Sequence, residues 1–253
     1  NTFLNGIVLF LTISGGLGFI VVTDIWYYFS KKSNSISFTT KMITLSFFGV
    51  LFIATAITFF GESTIQHYPV FERLEIATFQ TVNAISTAGY NSIPLSNLTL
   101  GVLLTIIFLM YVGAAPSSTG GGMKITTLTA VIAIVKSKVR NQAKVTYLGK
   151  KIPADRLEMA VSTFIFYTAI LFFSVFLLSF TENQSLEKLL FEATSAIGTV
   201  GLSMGITGSL SVWGKIILIS IMFIGRVGVI TFGLAILAKK QHKKIDNETD
   251  LAV

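Results

Sequence analysis

The sequence lacks cysteine, has only two histidines and carries charge on only 12% of its 253 residues. Without cysteine there is no disulfide framework and no cysteinyl metal site. The histidines, His67 and His242, lie in polar connections with no second ligand at metal spacing, so we expect them to be surface residues. No group of residues resembles a nucleophile with its base and oxyanion donors. The sequence therefore predicts that the protein is not an enzyme and has no covalent cofactor.

Apolar residues dominate the chain instead. Hydrophobic residues make up 52% of it, including 22 phenylalanines, which is more than the core of a soluble domain accommodates. Several stretches approach the roughly 20 apolar residues that cross a bilayer. They run approximately over 3–28, 38–60, 98–135, 157–180 and 210–238. These lengths predict a multi-pass membrane protein.

The basic residues explain the formal net charge of +7. Most of them lie in three polar stretches, after the first span, in the centre of the chain and after the last span. They are Lys31, Lys32, Lys41, Lys136, Lys138, Arg140, Lys144, Lys150, Lys151, Arg156, Lys239, Lys240, Lys243 and Lys244. The positive-inside rule makes these stretches cytoplasmic. The charge therefore indicates contact with membrane lipid and not with nucleic acid.

Two shorter semi-apolar stretches, 76–85 and 189–197, cannot span a membrane. Each ends in small and hydroxyl residues. The span before the first of them must run from inside to outside, and the span after it must run from outside to inside. The intervening stretch therefore begins and ends outside, as a re-entrant segment does.

An internal repeat supports this topology. Pairs of identical residues recur at a constant offset of 112 positions through the re-entrant segment and the helix that follows it. They include Glu75 with Glu187, Phe79 with Phe191, Thr87 with Thr199, Gly89 with Gly201, Gly113 with Gly225, and Thr119 with Thr231. The sequence thus predicts an all-α polytopic membrane protein with two complete helix, pore segment and helix units. In the first span, the segment 15–19 aligns with 225–229, which indicates the last helix of a preceding unit.

The repeat divides the chain into five predicted parts. They are an outgoing helix over 1–30, a unit with a broken second helix over 38–135, a basic cytoplasmic connection over 136–156, a further unit over 157–238 and a cytoplasmic tail over 239–253.

Each re-entrant segment ends in a short motif, STAGYN over 86–91 and GTVGLS over 198–203. Backbone that leaves helical geometry inside a membrane is tolerated where it lines a wet cavity or a bound ion. Extended backbone with glycine presents carbonyl oxygens that can replace the hydration shell of a cation. The predicted ion-binding residues are Thr87, Ala88, Gly89, Tyr90, Thr199, Val200, Gly201 and Leu202. The alternative for either motif alone is an ordinary loop turn.

These motifs, with GAAPSSTGGGMK over 113–124 and GRVGVITFG over 225–233, resemble the Trk/Ktr/HKT potassium transporters, in particular the ion-translocating Ktr-type B subunit. The resemblance implies a pore surrounded by four units, of which this chain has the third, the fourth and the outgoing helix of the second. The first two filter segments are absent, so we expect the chain to be the C-terminal half of a longer subunit. The resemblance also implies potassium transport, with sodium as a second candidate ion. It further implies a homodimer on a cytosolic regulatory ring that binds ATP or ADP.

The long third span is interrupted by glycine, proline and hydroxyl residues, which break a helix. The resemblance implies that this segment is an intramembrane gate, whereas a simple kink is the alternative. The predicted gating residues are Gly113, Pro116, Ser117, Ser118, Thr119, Gly120, Gly121, Gly122, Lys124 and Arg226. Arg226 lies deep in the last span, where an unpaired charge is costly, so we expect it to face the interior. For Lys124, structural and gating roles remain equal alternatives.

Other residues and other functions receive less support. Glu192, in the second pore segment, is expected to accept hydrogen bonds from nearby backbone instead of binding an ion. One alternative function is a secondary transporter with alternating access, which usually places acidic groups in the membrane and often has inverted repeats. Another is a membrane assembly subunit that conducts no ions.

Overall fold

The computed structural model describes the backbone of residues 2–237 and the side chains of residues 2–233. The predicted tail over 239–253 and His242 lie outside the described residues. The described part is almost entirely helical, which confirms the predicted fold class. The helices are α1 Thr2–Leu17, α2 Phe19–Phe29, α3 Phe38–Gly61, α4 Val70–Ile85, α5 Leu100–Val112, α6 Ile125–Val139, α7 Ala154–Thr181, α8 Leu186–Ile197, α9 Val212–Val227 and α10 Val229–Leu237. Short 3-10 turns occupy Ser63–Ile65, Leu95–Asn97 and Thr207–Ser209.

The helices fall into two similar groups. In each group an incoming helix, α3 or α7, packs on a shorter helix, α4 or α8, and on an outgoing helix, α5 or α9. The incoming helices are the two described helices that are individually long and apolar enough to cross a membrane. The group α1 and α2 supplies a further broken outgoing helix, which packs against α3 and α4.

The outgoing helices are interrupted in all three groups, and not only in the long third span. Between α1 and α2 the chain bends by 98° at Gly18, which has φ 79° and ψ 155°. Between α9 and α10 it breaks at Gly228, with φ 94° and ψ 127°. The outgoing helix predicted over 1–30 and the apolar span over 210–238 are therefore each divided into two helices, because positive-φ backbone that glycine adopts freely ends the helical hydrogen-bond ladder. Gly18 and Gly228 occupy corresponding places in the alignment of 15–19 with 225–229.

The central polar connection is partly ordered secondary structure. Helix α6 extends to Val139, and two short antiparallel strands follow it, β1 Thr146–Tyr147 and β2 Lys150–Lys151. Leu148 and Gly149 join these strands with φ values of 48° and 75°, as a two-residue hairpin turn with two positive φ angles requires. This hairpin was not predicted from the sequence.

Glutamates at the ends of the incoming helices hold the starts of the outgoing ones. Glu62, which follows α3 and is fully buried, accepts hydrogen bonds from the backbone N–H of Thr99 at 2.9 Å and from its hydroxyl at 3.1 Å. Glu182, which follows α7, accepts hydrogen bonds from the backbone N–H of Ser211 at 3.1 Å and from its hydroxyl. Because both acceptors lie at a helix N-terminus, they satisfy donors that the helix itself leaves unpaired.

The core lies around the middle of α5, where Ile106, Leu109 and Met110 have no exposed surface. It joins α4 and α8, whose C-terminal halves are buried. Large apolar side chains on the incoming helices are exposed, including Phe52 at 76% and Phe172 at 74%. Such faces are typical of helices in contact with lipid or with further transmembrane segments.

Candidate functional site

Two backbone segments of the same shape follow the short helices α4 and α8. Each begins with a threonine in left-handed geometry, Thr87 at φ 57° and Thr199 at φ 52°. Each then has a glycine at positive φ, 79° for Gly89 and 91° for Gly201. Glycine adopts such backbone angles without a steric penalty. A non-glycine residue in this geometry is uncommon and is concentrated at functional sites.

Matching hydrogen bonds fix the inner ends of the two segments. The backbone N–H of Ala88 donates to the Asn83 carbonyl at 3.1 Å, and that of Val200 donates to the Ser195 carbonyl at 2.9 Å. Both bonds run from the segment to the last turn of the preceding helix. The 112-residue repeat therefore extends from sequence to backbone geometry.

The two segments also lie next to each other. A Cβ atom placed on Gly89 would collide with the Val200 carbonyl oxygen, and one on Gly201 would lie 4.0 Å from Gly89 Cα. Consequently the first segment has no room for a side chain where it meets the second. Of the predicted ion-binding residues, the structure brings Gly89, Val200 and Gly201 into this contact, whereas the Tyr90 side chain is 58% exposed.

The segment over 113–123, here called the loop, separates α5 from α6 and lies against the inner ends of both segments. The backbone N–H of Gly121 donates to the Thr87 hydroxyl at 2.9 Å. A Cβ atom on Gly120 would lie 2.6 Å from the same hydroxyl oxygen, and one on Gly121 would collide with Thr199 Oγ1. Glycine is thus required where the loop meets the threonines that begin the two segments.

The first part of the loop, residues 115–117, contacts the break between α1 and α2 instead. The backbone N–H of Phe19, which the break leaves free, donates to the Ser117 carbonyl at 3.2 Å. The backbone N–H of Ala115 donates to the Gly16 carbonyl at 2.9 Å. A Cβ atom on Gly18 would lie 2.7 Å from the Pro116 carbonyl oxygen. The loop is therefore attached on one side to the helix of the preceding group.

The two predicted basic residues both reach the loop. Lys124 Nζ donates to the Gly120 carbonyl at 2.6 Å, and Arg226 Nη1 donates to the Thr119 carbonyl at 3.4 Å. Lys124 precedes α6, as expected for the start of a lower half-helix, and has φ 88° and ψ 133°. Arg226 lies in the last turn of α9, where a cation is favoured by the helix dipole. Its side chain is exposed among the described residues.

The remaining predicted loop residues are placed differently. Gly113 packs against Gly122, since a Cβ atom on the first would lie 2.7 Å from the Cα atom of the second. The Ser118 hydroxyl is buried and has no hydrogen-bond partner among the described residues. These residues lie at the base and the tip of the loop.

Two kinds of residue that hold the site in place were not predicted from the sequence. One is the pair of glutamates that follow the incoming helices, because Glu62 and Glu182 are offset by 120 positions and not by 112. The other is Gln80, the repeat partner of Glu192, whose side chain accepts a hydrogen bond from the Ser92 backbone N–H at 3.2 Å. The first pair can be found from acidic residues directly after apolar spans, and Gln80 from its 112-residue alignment.

The paired units and their interrupted outgoing helices define a class of protein, a polytopic helical membrane protein with repeated re-entrant segments. The profile of the TrkH family, described as "Cation transport protein", matches residues 1–247, and the chain belongs to this family. The family consists of cation transporters, so the prediction that the protein is not an enzyme is confirmed.

Individual relatives agree with this assignment. The chain is 32% identical over 245 residues to Ktr system potassium uptake protein B of Bacillus subtilis, which covers 95% of this chain and 54% of that protein. It is 34% identical over 247 residues to potassium/sodium uptake protein NtpJ of Enterococcus hirae, with coverages of 94% and 54%. The predicted membership of the Trk/Ktr group is therefore confirmed, and the chain spans about half the length of the curated relatives it matches.

A solved structure has the same fold. The crystal structure of the potassium transporter TrkH from Vibrio parahaemolyticus superimposes with a TM-score of 0.77 at 19% identity, covering 95% of this chain and 53% of that one. At this identity the match supports the fold alone.

Proposed function

We propose that the chain forms half of a channel-like potassium pathway, in which the carbonyl oxygens of residues 87–90 and 199–202 select dehydrated cations. The observation that carries the proposal is the contact between two segments of the same backbone geometry. Both have a glycine at positive φ, and Gly89 lies so close to the Val200 carbonyl oxygen that a side chain is excluded there. Backbone carbonyls held in this way can replace the hydration shell of a monovalent cation.

Potassium is the ion that the relatives' names support. The Bacillus relative is named as a potassium uptake protein and the Enterococcus relative as a potassium/sodium uptake protein. Sodium therefore remains the second candidate, as a transported or coupled ion. We propose a plasma membrane location and a pathway completed by two further units outside this chain.

The loop is proposed as the gate of this pathway. Its glycines lie against the threonines at the inner ends of both segments, and the two cations Lys124 and Arg226 donate to its carbonyls. A displacement of the loop would have to disrupt these hydrogen bonds. It would also have to disrupt the hydrogen bonds between the loop and the residues that join α1 to α2. Fixed positive charge beside the loop would also raise the barrier to a passing cation.

The alternative of a secondary transporter is less well supported. Among the described residues, no group of three or more histidine, cysteine, aspartate or glutamate side chains is placed to hold a metal ion. Buried Glu62 and Glu192 already accept hydrogen bonds from neighbouring chain segments. The two complete units also repeat in the same direction, whereas transporters with alternating access often have inverted repeats.

We further propose that the complete subunit forms a homodimer and binds a cytosolic regulatory ring through its basic cytoplasmic residues. ATP or ADP would act only through that partner. Size measurement of the complete subunit in detergent, with and without the partner, tests both assemblies.

The filter assignment is tested by ion flux of the complete subunit in liposomes, with potassium and sodium compared. Gly89→Ala is expected to lower the preference for potassium over sodium, because a Cβ atom there would collide with the Val200 carbonyl oxygen. Gly205→Ala is a matched control, because Gly205 also has positive φ, 86°, but nothing described lies within 4 Å of its Cβ position. Equal selectivity in the two variants at equal incorporation would refute the filter assignment.

A further inference from the structure

The outer ends of the two segments are held by side chains from the helices behind them. Glu192 on α8 is 4% exposed. Its Oε1 accepts hydrogen bonds from the Met204 backbone N–H at 2.9 Å and the Ser203 hydroxyl at 2.6 Å. Its Oε2 accepts one from the Thr207 hydroxyl at 2.7 Å. Both carboxylate oxygens are therefore occupied by the chain that follows the second segment.

The first segment has a weaker version of the same arrangement. Gln80 on α4, the repeat partner of Glu192, accepts a hydrogen bond from the Ser92 backbone N–H at 3.2 Å. Ser92 is the repeat partner of Met204. The Gln80 side chain is fully buried, and its Nε2 has no hydrogen-bond partner among the described residues.

The difference between the two units follows a consistent chemical pattern. Where the helix supplies a carboxylate, the following chain supplies two hydroxyl donors, Ser203 and Thr207. Where the helix supplies an amide, the corresponding residues are Asn91 and Leu95, and neither donates to Gln80 among the described contacts. Hydrogen bonds to an ionised acceptor are about twice as strong as those between neutral groups. The chain that follows the segment 199–202 is therefore held more firmly by Glu192 than the chain that follows the segment 87–90 is held by Gln80.

We propose that Glu192 is a positioning residue for ion selection, which sets the outer end of the segment 199–202 without binding the ion itself. Backbone hydrogen bonds to α8 fix the inner end of this segment, and Glu192 fixes the outer end, so the carbonyls between them have a defined spacing. Gln80 has the same role for the first segment, with a single hydrogen bond. This inference rests on the proposed filter function.

The geometry separates this role from direct ion binding. Glu192 borders a cavity of about 470 Å³ beside Thr199, Gly201 and Arg226, but its oxygens are directed to donors of the protein. A carboxylate with three such donors is restrained in orientation. Its loss would free the segment to change its carbonyl spacing, and cations of different radius would then be distinguished less well.

The test is the ratio of potassium to sodium flux through the complete subunit in liposomes. Glu192→Leu is expected to lower this ratio about tenfold, while Glu192→Gln lowers it less. The glutamine can still accept from the Met204 N–H, as Gln80 does from Ser92. Gln80→Leu is expected to have a smaller effect than Glu192→Leu, because it removes one hydrogen bond and not three.

A second variant leaves Glu192 itself unchanged. Thr207→Val keeps the shape of the side chain, removes the donor to Glu192 Oε2 and is expected to lower the ratio about threefold. Glu187→Gln is the matched control for charge, because Glu187 is exposed in the first turn of the same helix. We expect this control to match the unmodified subunit.

The possible outcomes are distinct. If Glu192→Leu and Thr207→Val incorporate normally and retain the full ratio while Gly89→Ala loses it, the positioning role is refuted and the filter assignment stands. If Gly89→Ala also retains the ratio, the filter assignment fails first. A loss in Glu192→Gln as large as that in Glu192→Leu would show that the charge itself acts on the ion, and would also overturn the positioning role.

Discussion

Replacing Lys124 by methionine is expected to raise the basal potassium flux of the complete subunit. Lys124 Nζ donates to the Gly120 carbonyl at 2.6 Å, and its half-buried side chain has no acidic partner within salt-bridge distance among the described residues. Methionine has a similar length and removes both the donor and the charge. The loop thereby loses one of the attachments that hold it against the threonine hydroxyl of the first segment.

The magnitude follows from the strength of this hydrogen bond. A bond from a charged donor contributes about 1.5–3 kcal/mol, and the half-buried position of Lys124 favours the lower value. If the displaced loop is the minor state, a loss of about 1.4 kcal/mol raises its population, and hence the flux, about tenfold. The loss of positive charge beside the pathway acts in the same direction, and Lys124→Gln, which keeps a hydrogen-bond donor but removes the charge, separates the two effects.

The backbone of Lys124 supplies an independent readout. Its φ of 88° and ψ of 133° resemble those of Gly18 and Gly228, which also directly precede lower half-helices. A side chain in this geometry costs about 1–3 kcal/mol. Lys124→Gly should therefore raise the flux as the methionine variant does, but its melting temperature in detergent should be higher than that of the methionine variant.

The assay is potassium flux into liposomes at matched incorporation, with melting followed on the same preparations. Lys136→Met is the control, since Lys136 is exposed at the other end of α6. Basal flux of Lys124→Met equal to that of the control would refute the reasoning that this side chain restrains the loop.

Further predictions concern the helix breaks, the last turn of α9 and the helix caps. Gly18→Ala should change basal flux more than Gly228→Ala, because both have positive φ but only the first Cβ would approach a loop carbonyl, at 2.7 Å; equal fluxes would contradict this. Arg226→Gln should raise flux by removing charge and a loop contact, and unchanged flux would exclude the barrier role. Hydrogen bonds from Ser211 lower the pKa of Glu182 below its ordinary value of 4.5, so Glu182 stabilises the fold fully above that pH and loses this contribution as pH falls through the lowered pKa. Glu182→Gln is expected to lower the stability by about 1 kcal/mol at neutral pH, so its melting temperature should lie below that of the parent. This difference in melting temperature should shrink below pH 4.5, and a constant difference would contradict the capping role of Glu182.

Much of the site could be predicted from the sequence because the two segments form an internal repeat. A common offset of 112 positions identified the two segments and the positions of Gly89 and Gly201. The sequence was compatible with positive φ at these glycines, because glycine adopts such backbone without a steric penalty. The helix caps were not predicted, because the connection from Glu62 to Thr99 is eight residues longer than that from Glu182 to Ser211. That difference moves the two glutamates out of the 112-residue register of the repeat, although their contacts are the same.

The sequence by itself determined the membrane class, the repeated unit and the two segments, since hydropathy, charge position and a fixed repeat are local properties. Only the tertiary structure decided that Gly18 and Gly228 break their helices, because glycine permits but does not require positive φ. The same holds for the loop, whose attachments to α1, to Thr87 and to Arg226 join residues far apart in the chain. Such contacts depend on how the helices pack, and a single sequence does not contain that information in any local pattern.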